Sequence, residues 1–536
     1  MTLHRALATL LIALAVVSAS PASAATVRDR VEAAPELAWG LLVQRSWPAV
    51  RRYYAERDHR PVWSRDGRAT PAAHAVLAAI RNADNEGLDP GHYRLEHLEA
   101  QLSSHPATPD FDVDLTGEVL HFLAEVQFGR LAVPADLAGE DSLSDDRFDP
   151  VRIIDTITSA PDPAAAVRHL APANSHYRAL RRARTQYANA MMRGGWPTIP
   201  PGPAIKPGAS DPRVPLIRQR LAATGDLGAG PAARSDEVYD DATRLAVENL
   251  QRRYGLDQDG IVGKMTLAAM NVPAAARVDQ ISLNMERWRR FREDPDGSQV
   301  VVNLAGFDLR VYEDGQIVMQ MPVAVGRPYR RTPIFNGLMT YLEFSPTWTV
   351  PPTILKEDIL PVLREDPTHL ATKGIDVYDG WHAGAAKLDP LAVDWKALGN
   401  AALSYRFVQP PGPNNALGGV KFMFPNEHSI YLHDTPDRTV FTKASRAFSS
   451  GCIRVQQPVE LAAYLLREDP DWNETAVRDA MAQSSPTRIN LPRPVVVRIT
   501  YSTAWVGDGG DIHFRDDVYG RDASLREMLQ SWAAAH

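Results

Sequence analysis

The hydrophobic period of this chain changes once, near Gln299, and that change divides what the chain can fold into. Before it, apolar residues recur at helical spacing; after it they alternate with polar ones, as in half-buried strands. A chain of 536 residues with such a switch reads as a multidomain α+β protein. The expected order is a mostly helical scaffold over residues 34–205, a small three-helix module over 211–272, a connecting helix over 276–293, and a β-rich domain over 297–502. An extension over 503–536 is expected to pack back on that domain.

In the scaffold, Thr70 and Pro71 open a helix predicted over 71–86, stopped by Gly87 and Leu88-Asp89-Pro90. Further helices are predicted over 115–129 and 176–192. His59, His92 and His176 read as polar surface or core residues. A linker, Trp196-Pro197-Thr198-Ile199-Pro200-Pro201-Gly202-Pro203, follows. In the three-helix module, Leu216, Ile217 and Leu221 mark one apolar face. Asp241 is the expected cap of the next helix, with Leu245, Val247, Leu250 and Tyr254 facing inward. The Asp259-Gly260 loop lacks the spaced carboxylates of an EF-hand. In the connecting helix, Ile281, Met285, Trp288 and Phe291 are the expected docking face, with Arg287, Arg289 and Arg290 solvated. Strands are predicted over 300–304, 308–312 and 317–325, with Glu313-Asp314-Gly315-Gln316 as a hairpin turn. Between 354 and 403 the alternation stops, so this stretch reads as an insert of helical pieces acting as a lid. A strand over 420–424, helices over 458–466 and 473–483, and a strand over 494–501 complete the reading.

Cys452 is the single cysteine, which excludes intramolecular disulfides and multi-thiolate metal sites. It follows Ser449-Ser450-Gly451, a short turn in which the N–H groups of Gly451 and Cys452 can face a bound carbonyl. A buried inert thiol beside a tight turn is the plainer alternative. Nineteen residues earlier, His433 ends a short strand that Pro436 breaks, a placement expected to leave the imidazole exposed at the sheet rim. Such a pair turns a thiol of pKa about 8.5 into a thiolate. No His-Glu-x-x-His run or Gly-Lys-Ser/Thr phosphate loop is present, and no metal or cofactor is expected.

His433, the following loop and Ser449-Ser450-Gly451-Cys452-Ile453-Arg454 resemble the active-site signature of L,D-transpeptidases with the YkuD fold. Gly326-Arg327, Arg331-Thr332-Pro333 and Ser345-Pro346-Thr347-Trp348 resemble other parts of the same domain. Many members have histidine where this chain has Ser450, a departure shared with the large multidomain periplasmic, YcbB-like branch. Leu250-Gln251, Gly255-Leu256, Asp259-Gly260, Gly263 and Thr266 resemble a peptidoglycan-binding three-helix domain, and a helical packing module without a ligand is an equal alternative. The resemblance implies Cys452 as nucleophile, His433 as general base, Gly451 and Tyr431 as oxyanion donors, and the Asp434 carbonyl orienting the imidazole. Arg454, Ser450, Ser449, Trp348 and Asn415 are the implied substrate contacts, with a structural ion pair the rival role for Arg454. The implied reaction is acyl transfer from a tetrapeptide stem to an amine, giving 3→3 cross-links. The implied partners are donor and acceptor stem peptides, other cell-wall synthesis proteins and carbapenem-type inhibitors. A cell-wall cysteine peptidase or carboxypeptidase, or a non-catalytic wall-binding scaffold, are the alternatives.

The N-terminus points to the same compartment. Arg5, an apolar run over 6–17 and Ala22-Ser23-Ala24 fit a cleavable signal peptide over 1–24, and hence a periplasmic location. A net charge of −7 gives no reason to expect nucleic acid.

Overall fold

In the computed structural model, residues 25–33, 35–104, 108–130, 148–232, 234–290 and 297–535 are described. The expected signal peptide and Phe291 lie outside them. The chain divides into two compact units: residues 1–80, 93–121 and 148–167, and residues 81–92, 122–147 and 168–536.

The first unit is helical apart from a small hairpin, β1 (Ser64–Arg65) and β2 (Arg68–Ala69). Its apolar interior also holds buried carboxylates. The buried Asp112 carboxylate accepts the backbone N–H of Val62 (2.8 Å) and Trp63 (2.7 Å) and the hydroxyl of Tyr54 (2.7 Å). These bonds fix the chain ahead of the hairpin, because a buried carboxylate must find donors. The helix predicted over 71–86 is two pieces, Pro71–Arg81 and a 3-10 turn Ala83–Glu86, with Gly87 left-handed at φ 70°.

The second unit begins its three-helix module with Val214–Ala223, where Ile217 and Leu221 are buried. The next helix, Asp241–Tyr254, is capped one residue earlier than expected: Asp240 accepts the Thr243 N–H at 2.9 Å. Leu245 is 57% exposed, against expectation. The buried face runs through Thr243, Ala246, Val247 and Leu250, which turns Leu245 outward. In the loop, Asp259 accepts the Gln251 amide (2.8 Å) and the Ile261 N–H (2.9 Å), a role in folding.

The connecting helix Ala274–Arg290 overturns the expectation of a solvated basic face. Arg277, Arg287 and Arg289 are buried. Arg287 pairs with Asp522 at 2.6 Å, and Arg289 pairs with Glu286 at 2.5 Å and donates to the Glu86 carbonyl. Glu286, itself buried, also accepts the Arg130 N–H at 2.8 Å. Burial opposes its charge, yet Arg289, Arg130 and Arg290 outweigh burial and bring its pKa down to about 2.

The β domain is built on β3 (Ser298–Asn303), β4 (Asp308–Glu313), β5 (Gln316–Gly326), β6 (Phe335–Phe344), β7 (Trp348–Thr349), β8 (Asp376–Tyr378), β9 (Lys387–Leu388), β10 (Arg406–Gln409), β11 (Val420–Met423), β12 (Leu432–His433), β13 (Ala447–Ser449), β14 (Ile453–Val455) and β15 (Thr487–Thr500). Pairing runs β5-β14-β12-β11-β6-β15-β3-β4, and β4 pairs again with β5, so the circuit closes; β13 adds beside β5. Closure leaves few free edges, and Val300, Val323, Leu342, Phe422, Leu432 and Val497 share one buried core. The Asp314-Gly315 turn has φ 47° and 75°, the left-handed pair a two-residue hairpin needs. β15 starts at Thr487, seven residues before the expected strand, across a register shift between Asn490 and Val495 that accommodates Pro492 and Pro494.

The insert is not purely helical. β8 and β9 lie within it and join β7 and β10 in a separate four-stranded sheet. Leu355, Leu360, Leu363, Val377, Trp395 and Phe407 form its own core. Strands of two and three residues are too short to show a period in sequence. The C-terminal extension holds β16 (Ala504–Val506) and β17 (Ile512–Phe514), whose Ala504, Ile512 and Phe514 belong to the same core as the three-helix module.

Glu286→Gln leaves buried Arg289 without its carboxylate. The expected loss is about 3–5 kcal/mol, read by chemical denaturation. Glu286 titrates lower when folded, so its contribution is present above the unfolded carboxylate pKa of about 4.3 and disappears as pH falls toward 2. The variant is expected to show a flatter decline of stability over that window.

Candidate active site

Cys452 stands at the end of the turn between β13 and β14. Gly451 has φ +125°, where other residues are strained, and a Cβ there would meet Ile430 at 3.3 Å. Ser449, 4% exposed, donates its hydroxyl to the Cys452 carbonyl (2.5 Å) and accepts the Gly451 N–H (3.1 Å). Beneath, Thr332 donates to the Gly451 carbonyl (2.7 Å) and accepts the Gly326 N–H (3.0 Å). The Tyr519 hydroxyl donates to the Gly326 carbonyl at 2.6 Å.

Two expectations are corrected by this turn. The Gly451 N–H is engaged by Ser449 and is not a free oxyanion donor, and the Ser449 hydroxyl is bound inside the loop and does not face a substrate. The free donors at the sulfur are the Cys452 N–H, which has no partner among the described residues, and Tyr431.

β12 runs parallel to β14 and sets His433 opposite Arg454 and Leu432 opposite Ile453. His433 is 4% exposed, not open at the rim as expected. Its Nδ1 lies 2.5 Å from the Asp434 carbonyl. A carbonyl only accepts, so that contact places a proton on Nδ1 and leaves Nε2 as the acceptor of the neutral ring, although the Leu417 carbonyl also favours the charged form. Burial first, then Arg454 and Lys421, pull its pKa down to about 3, so the ring is neutral. Burial also raises the Cys452 thiol, although the Tyr431 N–H and hydroxyl, Lys421 and Arg454 favour its anion. The sulfur points at the Ser429 carbonyl, 3.8 Å away, and no hydrogen bond joins it to His433 among the described residues. Both shifts favour the neutral thiol and the neutral imidazole over the expected thiolate–imidazolium pair, and on that balance proton transfer accompanies attack.

The other expected residues separate clearly. Arg454 has no ion pair among the described residues, and its Nε is buried without a partner. The Asp434 carboxylate accepts the Gly419 N–H (2.9 Å) and pairs with Arg438 (3.1 Å), tying down the loop beside His433. Asn415 is 1% exposed; its amide donates to the carbonyls of Pro346, Gln409 and Pro410 and it accepts the Leu417 N–H. It braces the loop and has no group left for a substrate. Trp348, half-buried, packs against the core of the insert. Ser450 is exposed and accepts a hydrogen bond from Arg330 at 2.8 Å.

Arg330 was not legible as a site residue. Its side chain, 8% exposed, pairs with Glu357 (2.6 Å) and Asp358 (2.5 Å) at the start of the insert while reaching Ser450 two residues from the thiol. Arg327 donates to the Phe448 carbonyl at 3.0 Å. The insert is thus latched to the nucleophile turn chiefly by the Arg330 guanidinium, with Arg327 adding a longer pairing to Asp358 at 3.9 Å. The Arg327–Arg331 run is the only sequence signal for it, and the run does not say which arginine turns inward. Among the described residues no His/Cys/Asp/Glu group could hold a metal ion, and no helix is long and apolar enough to cross a membrane.

Tyr431→Phe removes a donor that favours the thiolate, so the pH midpoint of Cys452 alkylation by iodoacetamide is expected to move upward from the wild-type value. An unmoved midpoint excludes the hydroxyl from the site's electrostatics. Thr332→Val leaves the Gly326 N–H and Gly451 carbonyl unpaired, an expected loss of about 1–3 kcal/mol in thermal or chemical unfolding.

Family models match three stretches of the chain. Residues 48–183 match a "Scaffold domain", residues 210–270 a "Putative peptidoglycan binding domain", and residues 297–496 the YkuD "L,D-transpeptidase catalytic domain". A curated relative from Haemophilus influenzae, named "Putative L,D-transpeptidase", is 32% identical over 253 residues, which is 47% of this chain and 50% of that protein. The chain thus spans about half the length of the curated relative it matches. Solved L,D-transpeptidases from Xylanimonas cellulosilytica (17% identity, 56% of this chain and 98% of that one, TM-score 0.16) and Stackebrandtia nassauensis (15%, 56% and 96%, TM-score 0.22) are also similar. The chain carries a YkuD-type L,D-transpeptidase catalytic domain, preceded by a scaffold domain and a domain of the peptidoglycan-binding type.

Proposed function

We propose that this protein is a peptidoglycan L,D-transpeptidase acting through a Cys452 thioester in the periplasm. The observation that carries the reading is His433 on β12 beside the parallel strand β14 that Cys452 leads into, with the base's proton assigned to Nδ1. As the thiol attacks the carbonyl between an L-centre and D-alanine of a tetrapeptide stem, His433 Nε2 takes its proton. The Cys452 N–H and the Tyr431 hydroxyl stabilise the oxyanion. His433 then returns the proton to the departing D-alanine amine, leaving the thioester. An amine of a second stem attacks the thioester, His433 takes the amine's proton, and the thiol is released with a 3→3 cross-link formed. Arg454, without an ion pair, is placed to receive a stem carboxylate. The insert, latched through Arg330, shields the thioester from water.

The neutral resting pair suits this chemistry. A half-buried neutral thiol resists adventitious oxidation better than a thiolate, since the thiolate is the reactive form. It also means that substrate binding must bring sulfur and imidazole together.

Carbapenem acylation tests the nucleophile: intact mass is expected to show an adduct on the wild type and none on Cys452→Ser, and an adduct retained by the variant rejects the assignment. His433→Ala is expected to slow acylation by about 10²–10⁴, read by the same adduct over time.

A further inference from the structure

Away from Cys452, a cavity of about 400 Å3 opens where three parts of the second unit meet. One wall is the end of helix Asp241–Tyr254 and the turn after it, with Arg252 and Gln258. The second is the β4–β5 hairpin, with Asp308, Arg310 and Gln320, and the third is the β16–β17 hairpin, with Trp505, His513 and Arg515. Arg446, just ahead of β13, closes the remaining side. None of the active-site residues lines this cavity.

Its charges do not balance. Arg252 pairs with Asp511 and Arg310 with Asp308, each at 3.0 Å. Arg446 and Arg515 have no carboxylate within ion-pair distance among the described residues. Arg446 donates to the carbonyls of Val323 (3.2 Å), Lys443 (2.7 Å) and Phe307 (3.0 Å), and Arg515 to those of Arg253 and Phe514 (both 2.7 Å). These bonds hold two guanidiniums in fixed orientation without neutralising either. The field is felt locally. Burial first, then the Arg446 and Arg310 charges, bring Arg515 down to about 10 against the opposing charge of Asp308 in the cavity wall, and burial with Arg515 and Arg252 brings His513 down to about 3. The Nδ1 of His513 is buried without a partner, and its ring stacks on Trp505 at 5.3 Å. Half-buried charge without a carboxylate partner favours a ligand that supplies the counter-charge, and oriented guanidiniums match the geometry of a carboxylate.

We propose that this cavity is a second binding site, taking the carboxylates of a peptidoglycan stem peptide, separate from the Cys452 cleft. The inference rests on the proposed function for the identity of the ligand. One wall comes from the domain of the peptidoglycan-binding type, and stem peptides bring several carboxylates on a flexible chain. Arg446 leads directly into β13 and the Cys452 turn, so the site tethers wall material beside the catalytic strand.

The test is equilibrium binding of a soluble disaccharide-tetrapeptide to the full chain carrying Cys452→Ala. Parallel titrations use the same fragment with its carboxylates amidated, and inorganic phosphate. Two equivalents of fragment are expected to bind. In Arg515→Gln, and in Gln320→Glu, which adds a carboxylate at an exposed position without removing a carbonyl bond, the second equivalent is expected to weaken at least tenfold while the first is unchanged. Amidation is expected to abolish the second equivalent. A stoichiometry of one that neither variant changes overturns the site and leaves the proposed function standing. Binding of phosphate at the cavity with exclusion of the fragment also overturns it. Loss of the first equivalent with retention of a second that both variants weaken supports the site and counts against the proposed function.

Discussion

The catalytic geometry depends on a pairing only two residues long. Leu432 faces Ile453 and His433 faces Arg454 across parallel strands. A parallel pair cannot be joined by a tight turn, so the chain must travel from Asp434 to Gly451 before returning. That excursion contains the Asp434–Arg438 pair, the β13 strand and the glycine turn. The groups that shape the thiol therefore gather around these two strands and the crossover between them, with Lys421 on β11 and Thr332 and Tyr519 beneath the turn. The closed sheet fixes both strands from outside: β12 pairs with β11, and β14 with β5.

Much of this was legible in the residues because the chemistry is local. A lone cysteine after Ser-Ser-Gly and a histidine at a strand end need no long-range contact to be noticed. The two-residue hairpin was visible in Asp314-Gly315, since only a few residues tolerate that backbone. What escaped the sequence was set by packing. The charge of Arg289 suggests water, yet its partner Glu286 sits three residues earlier on the same helix and both are buried. Asn415 lies in a glycine-rich loop that looks like a cleft wall, but its amide is used up on carbonyls. Burial, which no pattern of residue types reports, raises the Cys452 thiol against the thiolate expected from the Cys–His pairing.

The insert shows the same division. Its boundaries could be found where alternation stopped, but not its organisation. It has its own sheet and core, and it meets the nucleophile turn through ion pairs concentrated on Arg330. A small module with an independent core can move as a body while its contact with the rest is made or broken at a few charged groups. Glu357 and Asp358 lie on a π-helical turn, Leu355–Ile359, and such turns recur at functional sites.

The Tyr519 hydroxyl under the Gly326 carbonyl has a consequence for the order in which the molecule comes together. Residue 519 leaves the ribosome long after Cys452, and the Gly326–Thr332–Gly451 linkage it supports cannot be complete until then. A nascent or prematurely terminated chain ending before this tyrosine holds all the strands of the closed circuit, yet lacks the support beneath its nucleophile turn. Maturation of the thiol's surroundings is thereby coupled to synthesis of the chain at least as far as residue 519.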